Sequence, residues 1–168
     1  MQEIVYIGIG ANLNNPKQQV NKAIMALSQL PDSALLAQSS LYLSPPMGPQ
    51  DQNDYINAVA KLKTRLSAIE LLDQLQSIEN SQGRIRKTER WGARALDLDL
   101  ILYGQHIIDE PRLKVPHYGM QQRSFVLIPL AEIDPELVLP DNSRLTDRIA
   151  QLTTQQLIHS GNQGIQKL

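Results

Sequence analysis

The stretch Asp97-Leu-Asp-Leu-Ile-Leu-Tyr103 constrains this chain more than any other. Leu96, Leu98, Leu100 and Leu102 fall on one parity, while Asp97, Asp99, Ile101 and Tyr103 fall on the other. Strict alternation marks a strand with one buried face. The leucine row belongs to a core, so both carboxylates share the opposite face, roughly 6.5–7 Å apart along the strand. Two acids side by side against a core repel unless a cation lies between them. Immediately upstream, Gly83-Arg-Ile-Arg-Lys-Thr-Glu-Arg-Trp-Gly-Ala-Arg94 carries five cations against one acid. Hard-oxygen ligands for Mg²⁺ beside guanidinium groups are the parts needed to hold and split a polyphosphate. Alone, either feature more often marks a solvated surface. Adjacent, with Trp91 and two glycines inside the basic run, they favour a phosphate site.

Composition narrows the partners. At 168 residues the chain is expected to form one domain with a real core, leaving no room for a second catalytic domain. A net charge of −1 argues against a general nucleic-acid or membrane-surface binder, so the basic run is a local feature. With no cysteine and only three scattered histidines, disulfides and thiolate metal sites are excluded and a zinc site is not expected. No leader pattern opens the chain, and no apolar run approaches the ~20 residues of a membrane helix. The expectation is a cytoplasmic protein.

Glu3 to Ile9 reads as a first strand running through Gly8-Ile-Gly10 into a loop. That Gly-x-Gly is no dinucleotide fingerprint, because Leu13 stands at the third glycine position, and no Gly-x4-Gly-Lys-Ser/Thr loop occurs. Asn14-Asn15-Pro16 supplies a cap and a first-turn proline for a helix through Val20, Ala23, Ile24, Leu27 and Leu30. Residues 34–43 are expected to form one strand. Ser44 to Asp54, with Pro45, Pro46, Pro49 and Gly48, is a loop long enough to act as a lid. Tyr55 to Lys63 alternates again, which puts Tyr55 and Asn57 on one face. An aromatic plane beside an amide suits a flat heterocycle. Ser67-Ala-Ile-Glu70 is a capping box that opens a helix ending at Gly83. Asp109-Glu110-Pro111 is a turn, and Arg112 leads to Val115-Pro116-His117. A helix is expected from Gln121 to Glu132 despite Pro129, then a weak one at Leu145, Ile149 and Leu152, with a frayed tail past Gly161. The order strand, helix, strand, strand, helix, strand predicts an α+β fold, a ferredoxin-like βαββαβ sandwich with additional C-terminal elements.

Arg90-Trp-Gly-x-Arg-x-Leu-Asp-Leu-Asp99 resembles the signature of the 6-hydroxymethyl-7,8-dihydropterin pyrophosphokinase family of the folate pathway. The likeness extends through Tyr6-Ile-Gly-Ile-Gly-Ala-Asn-Leu13, Ser44 to Asn57, Val115-Pro-His-Tyr118 and Arg123-Ser-Phe125, covering about residues 4–140. It implies the same fold, and a reaction of ATP with 6-hydroxymethyl-7,8-dihydropterin in which the substrate alcohol attacks the β-phosphorus and AMP leaves. By the same resemblance, Asp97 and Asp99 hold two Mg²⁺ ions, and Arg84, Arg94, His117 and Arg123 contact phosphates. Arg86, Trp91, Leu100, Arg112 and Tyr118 line or close over the nucleotide, with Gln76 and Glu79 on its adenosine side. Tyr55 and Phe125 sandwich the pterin, Asn57 reads its edge, and Ser44, Pro45 and Met47 complete the pocket beside Trp91 and Asp97. No residue is assigned as a general base. Departures from the family pattern are Ala11 for serine, Ser44 for threonine, Met47 for leucine and Ala93 for proline, the last of which loosens the basic loop.

Two other readings compete. A ferredoxin-like RNA-binding module shares the order of elements, but aromatics are only 4%, the Lys/Arg-Gly-Phe-type motif is absent, and two aspartates repel a phosphate backbone. Another Mg²⁺-dependent nucleotidyl- or phosphoryltransferase with a different acceptor is the second; residues alone lead only that far. The chain is expected to act as a monomer on small molecules, with no nucleic acid and no membrane partner.

Overall fold

The computed structural model describes residues 2–13, 15–44, 54–82, 96–117, 124–151 and 166–168. Strand β1 (Glu3–Ala11) lies between β4 (Tyr55–Thr64) and β5 (Asp97–Tyr103), antiparallel to both. On the outer side of β4 run β2 (Ser33–Gln38) and β3 (Tyr42–Ser44), each antiparallel to it. Helices α1 (Pro16–Ser28) and α2 (Ala68–Ser81) form the two crossovers. This is the ferredoxin-like βαββαβ sheet. Added to it are a small hairpin, β6 (Ile108–Glu110) with β7 (Leu113–Val115), and helix α3 (Ser124–Ile133). A further helical stretch, α4, covers 145–151, and strand β8 (Gln166–Lys167) pairs with β3.

Both faces of the sheet are covered. One core joins Val20, Ala23, Ile24 and Leu27 of α1 with Leu71, Leu75 and Ile78 of α2. Against them pack Val5, Ile7 and Ile9 of β1, Ile56, Ala58, Ala60 and Leu62 of β4, and Leu98 and Leu100 of β5. The opposite core joins Tyr6, Val59, Ile101 and Leu102 with Leu127 and Leu130 of α3, Leu139 and Leu145. Period-2 alternation in β4 therefore sorts its side chains as the sequence predicts.

Several expectations are corrected. The leucine parity of β5 holds only to Leu100, because a bulge between the pairs Tyr6↔Leu102 and Ile7↔Leu100 inserts Ile101. The extra residue moves Leu102 to the α3 face and returns Tyr103 to the α1/α2 face. Residues 34–43 form two strands, broken where the Ser39 N–H bonds to Val59 and its hydroxyl accepts from the Val59 N–H. Asn15 does not cap α1 with its side chain; it is left-handed, at φ 59°, with Pro16 in the first turn. The capping box stands as read, with the Glu70 N–H on Ser67 Oγ at 3.1 Å and the Ser67 N–H on Glu70 Oε1 at 3.0 Å. The tail is not frayed at residues 166–168, where the Leu168 N–H also bonds to the Leu41 carbonyl at 2.9 Å.

Candidate active site

Register brings the site together on the face of the sheet away from α1 and α2. Gly10 of β1 pairs with Asp97 on one side and Asn57 on the other, and Asn57 pairs in turn with Tyr42. Four strands thus present the row Asp97, Gly10, Asn57, Tyr42. One step along, Gly8 pairs with Asp99 and with Val59. Glycine at both β1 positions leaves the row without a side chain at its centre. A Cβ on Gly10 would stand 3.1 Å from Asn57 Oδ1 and 3.8 Å from the Tyr55 ring. Gly10 is therefore the floor on which the predicted Tyr55–Asn57 pair converges. The sequence alone reads as a strand running into a loop here; its signal for the site is two glycines at i and i+2 of a strand, since glycine there marks close approach by a ligand or backbone.

Asn57 is oriented from behind. Its Nδ2 donates to Ser44 Oγ at 2.6 Å, both residues being buried, and this turns Oδ1 toward Gly10. The Ser44 side chain is thus engaged with Asn57. Phe125 sits partly buried on the first turn of α3, apart from the Leu127–Leu130 core stripe.

The backbone that carries the two carboxylates is held at its edge. Between them, the Leu98 N–H donates to Glu79 Oε2 at 2.8 Å, and Glu79 is 4% exposed. Glu79 thus caps the outer edge of the strand that carries Asp97 and Asp99. Asp99 is half-exposed, with His117 Nε2 at 3.8 Å from its Oδ1. The His117 backbone N–H donates to the Ile101 carbonyl at 3.1 Å. Among the described residues no group of three His, Cys, Asp or Glu side chains is placed to enclose a metal ion. Two carboxylates on one face of a strand, Asp97 part-buried and Asp99 half-exposed, fit Mg²⁺, which takes one or two carboxylates beside phosphate and water.

Arg112 lies toward the nucleotide side of the prediction. Its Nη2 is 2.6 Å from Asp73 Oδ1 and 3.4 Å from Gln76 Oε1, so α2 and the β6–β7 hairpin bring Arg112 and Gln76 together. The Leu100 side chain is buried in the core, which leaves only its backbone at the sheet edge. Arg84, Arg86, Trp91, Arg94, Tyr118, Arg123, Pro45 and Met47 lie outside the described residues.

Two tyrosine–carboxylate contacts join the sheet to the C-terminal end of α3. The Tyr6 hydroxyl donates to Asp134, and burial followed by that carboxylate raises the Tyr6 pKa well above its ordinary value. Tyr42 donates to Glu132 Oε1 at 2.6 Å and is raised for the same reasons. Both stay protonated donors across the physiological range.

Paired carboxylates beside a glycine floor on a ferredoxin-like sheet suit an enzyme that moves phosphoryl groups. Residues 6–135 match the family of 7,8-dihydro-6-hydroxymethylpterin-pyrophosphokinases, and the chain belongs to that family. It is 52% identical over 153 residues to the 2-amino-4-hydroxy-6-hydroxymethyldihydropteridine pyrophosphokinase of Haemophilus influenzae, covering 91% of this chain and 95% of that one. The Pseudomonas aeruginosa protein of the same name is 50% identical over 150 residues, covering 89% and 92%. Among solved structures, a Plasmodium falciparum HPPK-DHPS superimposes with a TM-score of 0.77 at 11% identity. That match covers 97% of this chain and 45% of the other, and at such identity it speaks for the fold.

Proposed function

We infer that this chain transfers the diphosphate of ATP to the hydroxymethyl group of 6-hydroxymethyl-7,8-dihydropterin, giving AMP and the pterin diphosphate in folate biosynthesis. Half-identity to named pyrophosphokinases over nine-tenths of the chain supports the activity. The observation that carries the site is the row Asp97, Gly10, Asn57, which sets a carboxylate beside an amide across a gap with no side chain.

In this reading the pterin lies over Gly10, stacked between Tyr55 and Phe125. Asn57 Oδ1, turned by Ser44, accepts from an N–H on the pterin edge, while backbone groups of Ser44, Pro45 and Met47 close the rim. Gln76, Glu79, Arg112 and the Leu100 backbone form the adenosine side, with Glu79 acting by fixing β5. Arg84, Arg94, Arg123 and His117 hold the phosphates; Arg86, Trp91 and Tyr118 close over the nucleotide. Such a transfer needs little covalent help, only an in-line approach and neutralised charge. Asp97 and Asp99 would hold two Mg²⁺ ions, which would supply neutralising charge at the phosphate oxygens. Exclusion of water from the site protects ATP from hydrolysis. The enzyme acts as a monomer in the cytoplasm, where its nucleotide substrate is abundant; among the described residues no helix is long and apolar enough to cross a membrane.

The metal assignment is tested by Mg²⁺ titration of pterin-dependent turnover in wild type, Asp97→Asn and Asp99→Asn. Each variant should lose at least about a hundredfold in rate while keeping its melting temperature. Turnover that persists in chelator, or variants within a few-fold of wild type, would remove the metals from these residues.

A further inference from the structure

Glu132 is exposed on the last turn of α3, yet its carboxylate accepts three donors from one short stretch of the sheet. The Ser40 N–H reaches Oε1 at 3.0 Å and Oε2 at 3.1 Å. The Ser40 hydroxyl donates to Oε2 at 2.8 Å and the Tyr42 hydroxyl to Oε1 at 2.6 Å. Partial burial works against the charge, but the bonds from Tyr42 and Ser40 and the nearby Lys167 ammonium outweigh it, holding this carboxyl below its usual range.

Attachment of α3 to the sheet does not depend on these bonds alone. Leu127 and Leu130 are fully buried, and Asp134 accepts from the Tyr6 hydroxyl and, at 3.2 Å, from the Lys61 ammonium. Those contacts grip β1 and β4. What Glu132 adds is a connection to β3 and its approach. Strand β3 has three residues and is cut off from β2 at residues 39–41, so no long ladder fixes its position. Its two polar members serve the site directly: Tyr42 is the cross-strand partner of Asn57, and Ser44 receives the Asn57 amide. Strand β8 braces the same segment from outside, pairing Lys167 with Tyr42. Phe125 rides on the helix that carries Glu132, seven residues and about 10.5 Å away along its axis.

We propose that Glu132 is a positioning residue for the pterin: by tying Ser40 and Tyr42 to α3, it fixes the β3 side of the slot, from which Ser44 orients the Asn57 amide, against Phe125 on the helix. This rests on the pterin site described under Proposed function. A slot that stacks a flat ring on both faces tolerates little change in width, and misplacement by about 1 Å can cost up to a hundredfold.

The test compares KM for the pterin, KM for ATP, kcat and melting temperature across wild type, Glu132→Gln, Tyr42→Phe, Asp134→Asn and Tyr6→Phe. Glu132→Gln and Tyr42→Phe should raise the pterin KM roughly five- to twentyfold with the ATP KM within about twofold, because only the pterin wall moves. Asp134→Asn and Tyr6→Phe should lower the melting temperature at least as much while leaving both KM values within about twofold. The proposal falls if Glu132→Gln leaves the pterin KM unchanged, if both KM values rise together, or if Asp134→Asn matches its effect. Failure of wild type to consume the pterin would instead overturn the function itself.

Discussion

Gly8 and Gly10 remove two side chains from the C-terminal half of β1 at the points where neighbouring strands present Asp99, Asp97 and Asn57. Restoring one methyl group tests that role. In Gly10→Ala the new Cβ would crowd Asn57 Oδ1 at 3.1 Å, so the pterin KM should rise about tenfold, near 1.4 kcal/mol. Stability should change by less than about 1 kcal/mol, because alanine loses less chain entropy than glycine in a strand. Steady-state kinetics beside a thermal melt separates the two effects; a stability loss with an unchanged KM would contradict the floor. Glu79 gives the complementary case. Glu79→Ala leaves the buried Leu98 N–H without its acceptor, which costs about 1–3 kcal/mol. Turnover should fall with it, whereas Glu79→Gln keeps an acceptor oxygen and should lie between; calorimetry and AMP release read both. The Asp97–Asp99 pair was legible because side-chain parity is a local property of one strand. Glu79 is named only through the family resemblance, and its bond to Leu98, like the pairing of the two glycines, comes from contact with other elements.

Helix α2 is specified by its own ends. Ser67 and Glu70 exchange both capping bonds, and Leu71, Leu75 and Ile78 supply the buried stripe. Ser67→Ala should cost about 1 kcal/mol, read as a lower urea midpoint with an unchanged slope. Because α2 also carries Glu79 and Gln76, a loss well above that would mean its fraying reaches the site. Elsewhere local signals misled. The Asn14-Asn15-Pro16 signal found α1 through its proline, while Asn15 took a left-handed turn with no side-chain cap. Residues 34–43 read as one strand because apolar residues stand on both sides of Gln38-Ser39-Ser40, and the break is made by bonds to Val59 on another strand. Likewise, the bulge at Ile101 follows from pairing with β1 and left no mark in the alternation.

At the scale of the molecule, the ferredoxin-like order was readable because each crossover is a helix with its own stripe, so the sheet order follows from connection rules. The corner around Asp141 was not. Its carboxylate accepts from the Ser143 hydroxyl and N–H and from Arg148, bonds that close only once residues 141–148 fold. Those bonds, Ser143 first and Arg148 after, hold its pKa down to about 2. A depressed carboxyl contributes stability above its unfolded value and loses it as pH falls toward about 2. Since Asp141 is 42% exposed, solvent screening keeps this contribution under about 1 kcal/mol. Asp141→Asn should therefore lower the melting temperature slightly at pH 7, by an amount that vanishes near pH 2; a loss independent of pH would contradict the cause. The central claim is transfer of a diphosphate from ATP to a pterin alcohol over the Asp97–Asp99 strand. Its most direct test is the nucleotide product formed from ATP and Mg²⁺ with and without 6-hydroxymethyl-7,8-dihydropterin, in wild type and in Asp97→Ala and Asp99→Ala. Pterin-dependent AMP that collapses in both variants is the predicted result. ADP in place of AMP would mean attack at the γ-phosphorus and would contradict it.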